Sequence, residues 1–99
     1  MARIIEFGRR AASQLMQILS FYDEQNGSDK YSRQLLSSLM EKVGHIAAMP
    51  TIGQPSTRED VRFFYLMGYT VIYRYNSKKI IVLSLRSSKR KPLKIYQKQ

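Results

Sequence analysis

The sequence predicts an α+β layer fold of order βααβββ, with a helical hairpin packed on one face of a small, mostly antiparallel sheet. Two long stretches before residue 50 carry apolar residues at three- and four-residue spacing, the period of a half-buried helix. Between residues 61 and 85 three β-branched and aromatic runs follow one another, separated by Gly, Asn and Ser. Helices gathered ahead of a run of strands place the helices on one side of a sheet.

Each element has its own signal. "RIIEF", Arg3 to Phe7, is short, branched and aromatic and is broken by Gly8, which predicts a first strand at a sheet edge. From Arg9 to about Asp23, the residues Ala11, Leu15, Ile18, Leu19 and Tyr22 form one apolar stripe. Gly27 supplies a left-handed stop and Ser28 or Asp29 an N-cap, so a second, antiparallel helix is expected from Asp29 to Ala47. Its inward face is Tyr31, Leu35, Leu39, Val43 and Ile46. "MPTIGQPS" ends it, and the strands "VRFFYLM", "YTVIYRY" and "KIIVLSL" follow.

The turns suggest a register. A two-residue loop at Met67 and Gly68, and another at Ser77 and Lys78 or at Asn76 and Ser77, put Ile72, Ile81, Leu83 and Leu85 on one face. This aliphatic face is expected to meet the helices. The opposite face then collects Arg62, Phe64, Tyr69, Val71, Tyr73, Tyr75, Ser84 and Arg86. Rings that stack on bases beside guanidinium forks that grip phosphates suit a nucleic-acid surface.

Charge points the same way. Residues 61 to 99 hold ten cations and no acid, whereas residues 1 to 60 hold seven of each, so the net charge of +10 arises wholly in the C-terminal part. So concentrated a field suits a polyanionic partner. The 99 residues fit one domain, 1–99, with a basic tail from about residue 93. No cysteine is present, "MARIIEF" has no signal-peptide pattern, and no apolar run approaches a bilayer span, so a cytoplasmic protein without membrane contact is expected.

With one histidine, His45, on the face of the second helix, and no acid in the basic region, neither a metal site nor a cofactor is expected. Paired carboxylates, a Gly-rich phosphate loop and a nucleophile elbow are also missing. What remains is metal-free phosphodiester chemistry, with arginines stabilising charge and a Lys or Tyr moving protons.

At the level of whole motifs, "MPTIG" after the second helix, the arginine opening "VRFFY", "GYTVIYRY" and "IIVLSLRSSKRKP" resemble the RelE/ParE superfamily of bacterial toxins over roughly residues 3 to 92. The resemblance implies the toxin of a type II toxin–antitoxin pair, neutralised by an acidic antitoxin protein. RelE-like members cut messenger RNA on the ribosome without metal, and ParE-like members poison DNA gyrase. Arg62 matches the family's strand-opening arginine, Tyr73 its aromatic strand, and Arg86 with "SKRKP" its basic end. Catalytic candidates are then Arg62, Arg86 and Tyr96. Candidates for target or nucleic-acid contact are Arg62, Tyr69, Tyr73, Arg74, Arg86, Lys89, Arg90 and Lys91. Ser87 stands where many relatives have His or Asp, which favours a ParE-like growth inhibitor over a ribonuclease. A small basic ribosome- or nucleic-acid-binding module is the alternative, and a neutral first 60 residues weigh against it.

Overall fold

The structure, a computed structural model, describes residues 2–88. Its elements are β1 (Ile4–Phe7), α1 (Arg9–Asn26), α2 (Lys30–Ala48), a 3-10 turn (Pro50–Ile52), β2 (Gln54–Pro55), β3 (Val61–Leu66), β4 (Tyr69–Tyr75) and β5 (Lys79–Ser87). The expected order is present, with β2 added. Five strands form one mixed sheet in the order β1-β5-β4-β3-β2, in which β1 runs parallel to β5 and the other pairs are antiparallel.

Local chemistry sets the boundaries. Gly27 ends α1 with φ +65°, the left-handed region that costs glycine least. Asp29 precedes α2, but its carboxylate pairs with Arg33 at 2.9 Å instead of capping an amide. The Ser32 hydroxyl ties the two helices, donating to the Leu19 carbonyl at 2.9 Å and touching the Asp23 carboxylate. Both hairpins use the two-residue loops the sequence suggested. Met67 and Gly68 both have positive φ, and Asn76 closes the second loop by accepting the Lys78 and Lys79 amides at 2.8 Å each.

For β3, β4 and the first part of β5 the faces are the reverse of the expected ones, whereas Leu85 meets the helices and Ser84 and Arg86 lie on the other side as expected. Beneath the helices lie Phe64, Val71, Tyr73, Ile80, Val82 and Leu85, packed with Ala11, Leu39, Val43, Ile46 and Ala47. Ile72 belongs instead to a second cluster with Val61, Phe63 and Leu83. Strand alternation puts that cluster on the helix-free face. A β-bulge explains why Leu85 parted from Leu83: Tyr73 pairs with Val82 but Ile72 pairs with Ser84, so Leu83 is the extra residue. Beyond the bulge the strand turns over, sending Leu85 to the helices and Ser84 and Arg86 to the other side.

Candidate functional site

Tyr73 was a candidate for stacking on a base, and the structure buries it completely. Its hydroxyl donates to the Pro50 carbonyl at 2.6 Å and accepts the Gly53 amide N–H at 3.1 Å. Burial raises its pKa above the usual tyrosine value, offset in part by the Gly53 amide and the nearby Arg62 charge. Gly53 is required here because a Cβ would collide with the Tyr73 ring and hydroxyl. Tyr73 is therefore a pin between the sheet and the loop after α2, closed to any ligand.

Arg62 sits opposite Tyr73 in the β3–β4 ladder and shares its helix-side face, so it does not project away from the helices as expected. Its Nη1 donates to the Gly53 carbonyl at 2.7 Å and more weakly to the Thr51 carbonyl at 3.4 Å, while Nε is buried without a partner. A guanidinium committed to loop carbonyls is a brace for β2 and its loop. Tyr69 also faces the helices, donating to the Tyr22 hydroxyl at 3.2 Å; burial, and then Tyr22, push its pKa well up. Neither Tyr69 nor Tyr73 has a depressed pKa that would make it a base at neutral pH.

Arg74 and Arg86 have a different setting. Arg74 is exposed beside Ile81, and Arg86 is half-buried beside Thr70, both on the helix-free face. Four residues of β4 separate the two positions, roughly 13 Å at about 3.3 Å per residue. Among the described residues neither forms an ion pair, whereas Lys79 on the same face is held by Glu6 at 2.9 Å. Tyr65, 57% exposed, stands in the same cross-strand row as Thr70 and Arg86. Sequence reasoning passed over Tyr65 and Thr70, although both alternate with Phe64 and Val71 and could have been placed by that pattern. Lys89, Arg90, Lys91 and Tyr96 lie outside the described residues. Within the described residues no cluster of three or more His, Cys, Asp or Glu could hold a metal ion, and no helix is long and apolar enough to cross a membrane.

A feature absent from the sequence reading adjoins Arg86. Between α1 and the last part of β5 lies a cleft of about 310 Å³, lined by Gln14, Gln17, Ile18, Phe21, Tyr69 and Leu85, with Arg86 and Ser87 at its margin. Phe21 is half exposed there.

Two helices on one face of a five-stranded mixed sheet, with Arg74 and Arg86 on the other face, make a small α+β domain. The family model of the ParE toxin of the type II toxin–antitoxin system parDE matches residues 5–92, and the chain belongs to that family. A solved structure described as a chromosomal ParDE TA system from P. aeruginosa contains a chain with the same fold. The TM-score is 0.70 at 22% identity, over 87% of this chain and 96% of that one. No curated protein matches the sequence.

Proposed function

We propose that this chain is the single-domain toxin of a cytoplasmic type II pair, that it arrests growth by acting on DNA gyrase in the ParE manner, and that an acidic antitoxin neutralises it. Membership of the ParE toxin family carries the reading. The geometry favours binding over bond breaking. Of the residues considered for metal-free RNA cleavage, Arg62 is spent on loop carbonyls, and its neighbour Tyr73 is buried with its hydroxyl doubly bonded. Arg74 and Arg86 remain as contacts for an anionic target surface, with the basic run at Lys89, Arg90 and Lys91 following in sequence. The P. aeruginosa relative, solved as a ParDE system, supports an antitoxin partner here by analogy.

Induced expression of the chain alone tests the reading. Growth should stop, and co-expression of a small acidic product of the adjoining reading frame should restore it. Unimpaired growth with folded protein in the cell contradicts the proposal. The ribosome-directed alternative is separated by primer extension on messenger RNA, where ribosome-dependent cuts should be absent.

A further inference from the structure

The helix-free face is closed in its middle and open on either side of it. Phe63, Ile72 and Ser84 form one cross-strand row from β3 to β5, and all three are buried. Of the flanking rows, one runs Tyr65, Thr70, Arg86 and the other Val61, Arg74, Ile81, so each carries one arginine. The two rows stand four residues apart along the strands, roughly 13 Å at about 3.3 Å per residue. Acids leave this face to the cations. Glu6 is the one acid among the described strand residues, and Lys79 holds it at 2.9 Å.

Tyr65 differs from the other tyrosines of the sheet, because Tyr69, Tyr73 and Tyr75 turn to the helix side while Tyr65 is more than half exposed on this one. Its ring meets the buried Phe63 ring edge to face, with centroids 5.7 Å apart and planes at 75°, so an open aromatic surface is held in one orientation. Two strand spacings, roughly 10 Å at about 4.8 Å each, separate Tyr65 from Arg86, and only the small Thr70 stands between them. A fixed ring with one guanidinium in its own row and a second two rows away suits an unpaired nucleic-acid strand. Bases of any sequence stack on such a ring, and arginine forks take the phosphates. A duplex keeps its bases inside and offers this face only phosphates, and an acidic protein strip would engage the arginines but gain little from Tyr65.

We propose that the helix-free face binds an unpaired DNA strand, with one base stacked on Tyr65 and phosphates held at Arg86 and Arg74. The inference rests on the gyrase reading above, which makes the strand DNA, and it names what this face touches: the DNA of the target complex rather than the surface of the gyrase protein.

The probe is a fluorescein-labelled twelve-nucleotide thymidine strand, titrated with the full chain by anisotropy over a range of salt, beside its duplex with the adenosine strand and the matching uridine RNA. The proposal expects the unpaired DNA to bind more tightly than the duplex. Arg74→Ala and Arg86→Ala should each weaken binding and lower the slope of log affinity against log salt by about 0.7, the share of one phosphate on a single strand. Tyr65→Ala should weaken binding about tenfold with the slope unchanged, because the ring carries no charge, and Tyr65→Phe should restore it. Arg33→Ala, which removes an exposed cation paired with Asp29 on the helical side, should change neither quantity. Failure to bind, a duplex bound as tightly as the strand, RNA bound more tightly than DNA, or affinity and slope that survive the Tyr65, Arg74 and Arg86 substitutions each overturns it. Plasmid cleavage by gyrase separates this inference from the reading it rests on. If the strand does not bind while the arginine variants still lose cleavage, the face meets gyrase itself, and the inference falls while the toxin reading stands. A chain that binds the strand as described yet leaves growth untouched keeps the site and loses the toxin reading.

Discussion

Replacing Tyr73 with phenylalanine removes one oxygen and leaves the ring in place, so it isolates the pin between the sheet and the loop after α2. Two buried groups lose their partner at once, the Pro50 carbonyl held at 2.6 Å and the Gly53 N–H held at 3.1 Å. An orphaned buried polar group costs about 1–3 kcal/mol, and some relaxation is expected, so the sum is about 2–4 kcal/mol. For a domain of this size each kcal/mol lowers Tm by about 4–8 °C, giving a fall of roughly 8–32 °C. Thermal melts by circular dichroism, paired with urea titrations at unchanged slope, measure it. Tyr75→Phe is the control: its hydroxyl reaches the Glu59 carbonyl only at 3.5 Å in an exposed setting, and its loss should cost under about 0.5 kcal/mol. If Tyr73→Phe melts within about 3 °C of the parent, the hydroxyl does not secure the loop, and the account of Tyr73 as a structural residue fails.

Arg62→Ala should lower stability by about 1–3 kcal/mol through loss of its bonds to the Gly53 and Thr51 carbonyls; a variant that melts normally but is no longer toxic would return Arg62 to the target surface. Leu39→Ala, which empties a fully buried site under the sheet, should cost about 2–5 kcal/mol, whereas Leu83→Ala, only partly buried on the helix-free face, should cost clearly less in the same urea titration. Burial raises the pKa of both Tyr69 and Tyr73 in the folded state. The unfolded chain therefore releases these protons first, so their stabilising contribution is complete below about pH 10 and falls away as pH rises above it. Denaturation titrations should show that alkaline loss, and Tyr69→Phe should make it shallower; an unchanged pH profile in that variant would contradict the burial effect.

Element order, both hairpin loops, the left-handed stop at Gly27 and the inward face of α2 were legible because each depends on neighbours in sequence. Which face of the meander meets the helices was not. β4 alternates Tyr69, Val71, Tyr73, Tyr75 with Thr70, Ile72, Arg74, and the first set looks the more polar because of its hydroxyls. The fold buries it anyway, since the partners that satisfy Tyr73 come from Pro50 and Gly53, more than a dozen residues away in sequence. Arg74, alternating with Tyr73, was the overlooked sign that the Ile72 side is the open one. The bulge at Leu83 left no mark in "IIVLSL"; it offsets the reversal beyond that residue, so Ser84, Leu85 and Arg86 lie on the faces the turns suggested while Ile81 and Leu83 do not. β2 escaped notice because two residues, one of them proline, carry no strand pattern. For the candidate site, the sequence named Arg74 and Arg86, but it grouped them with Arg62 and Tyr73, whose commitments to the loop depend on tertiary structure.

The most direct test mixes purified protein with gyrase and supercoiled plasmid, denatures the mixture with detergent and protease, and measures cleaved linear DNA. The account predicts that linear DNA accumulates with the parent chain. It should fall about tenfold or more with Arg74→Ala combined with Arg86→Ala, at a nearly unchanged melt, because both arginines lie on the face opposite the helix-side core and neither belongs to the Val61, Phe63 and Ile72 cluster there. Plasmid left intact by the folded parent chain, or cleavage that the double variant sustains in full, would contradict it.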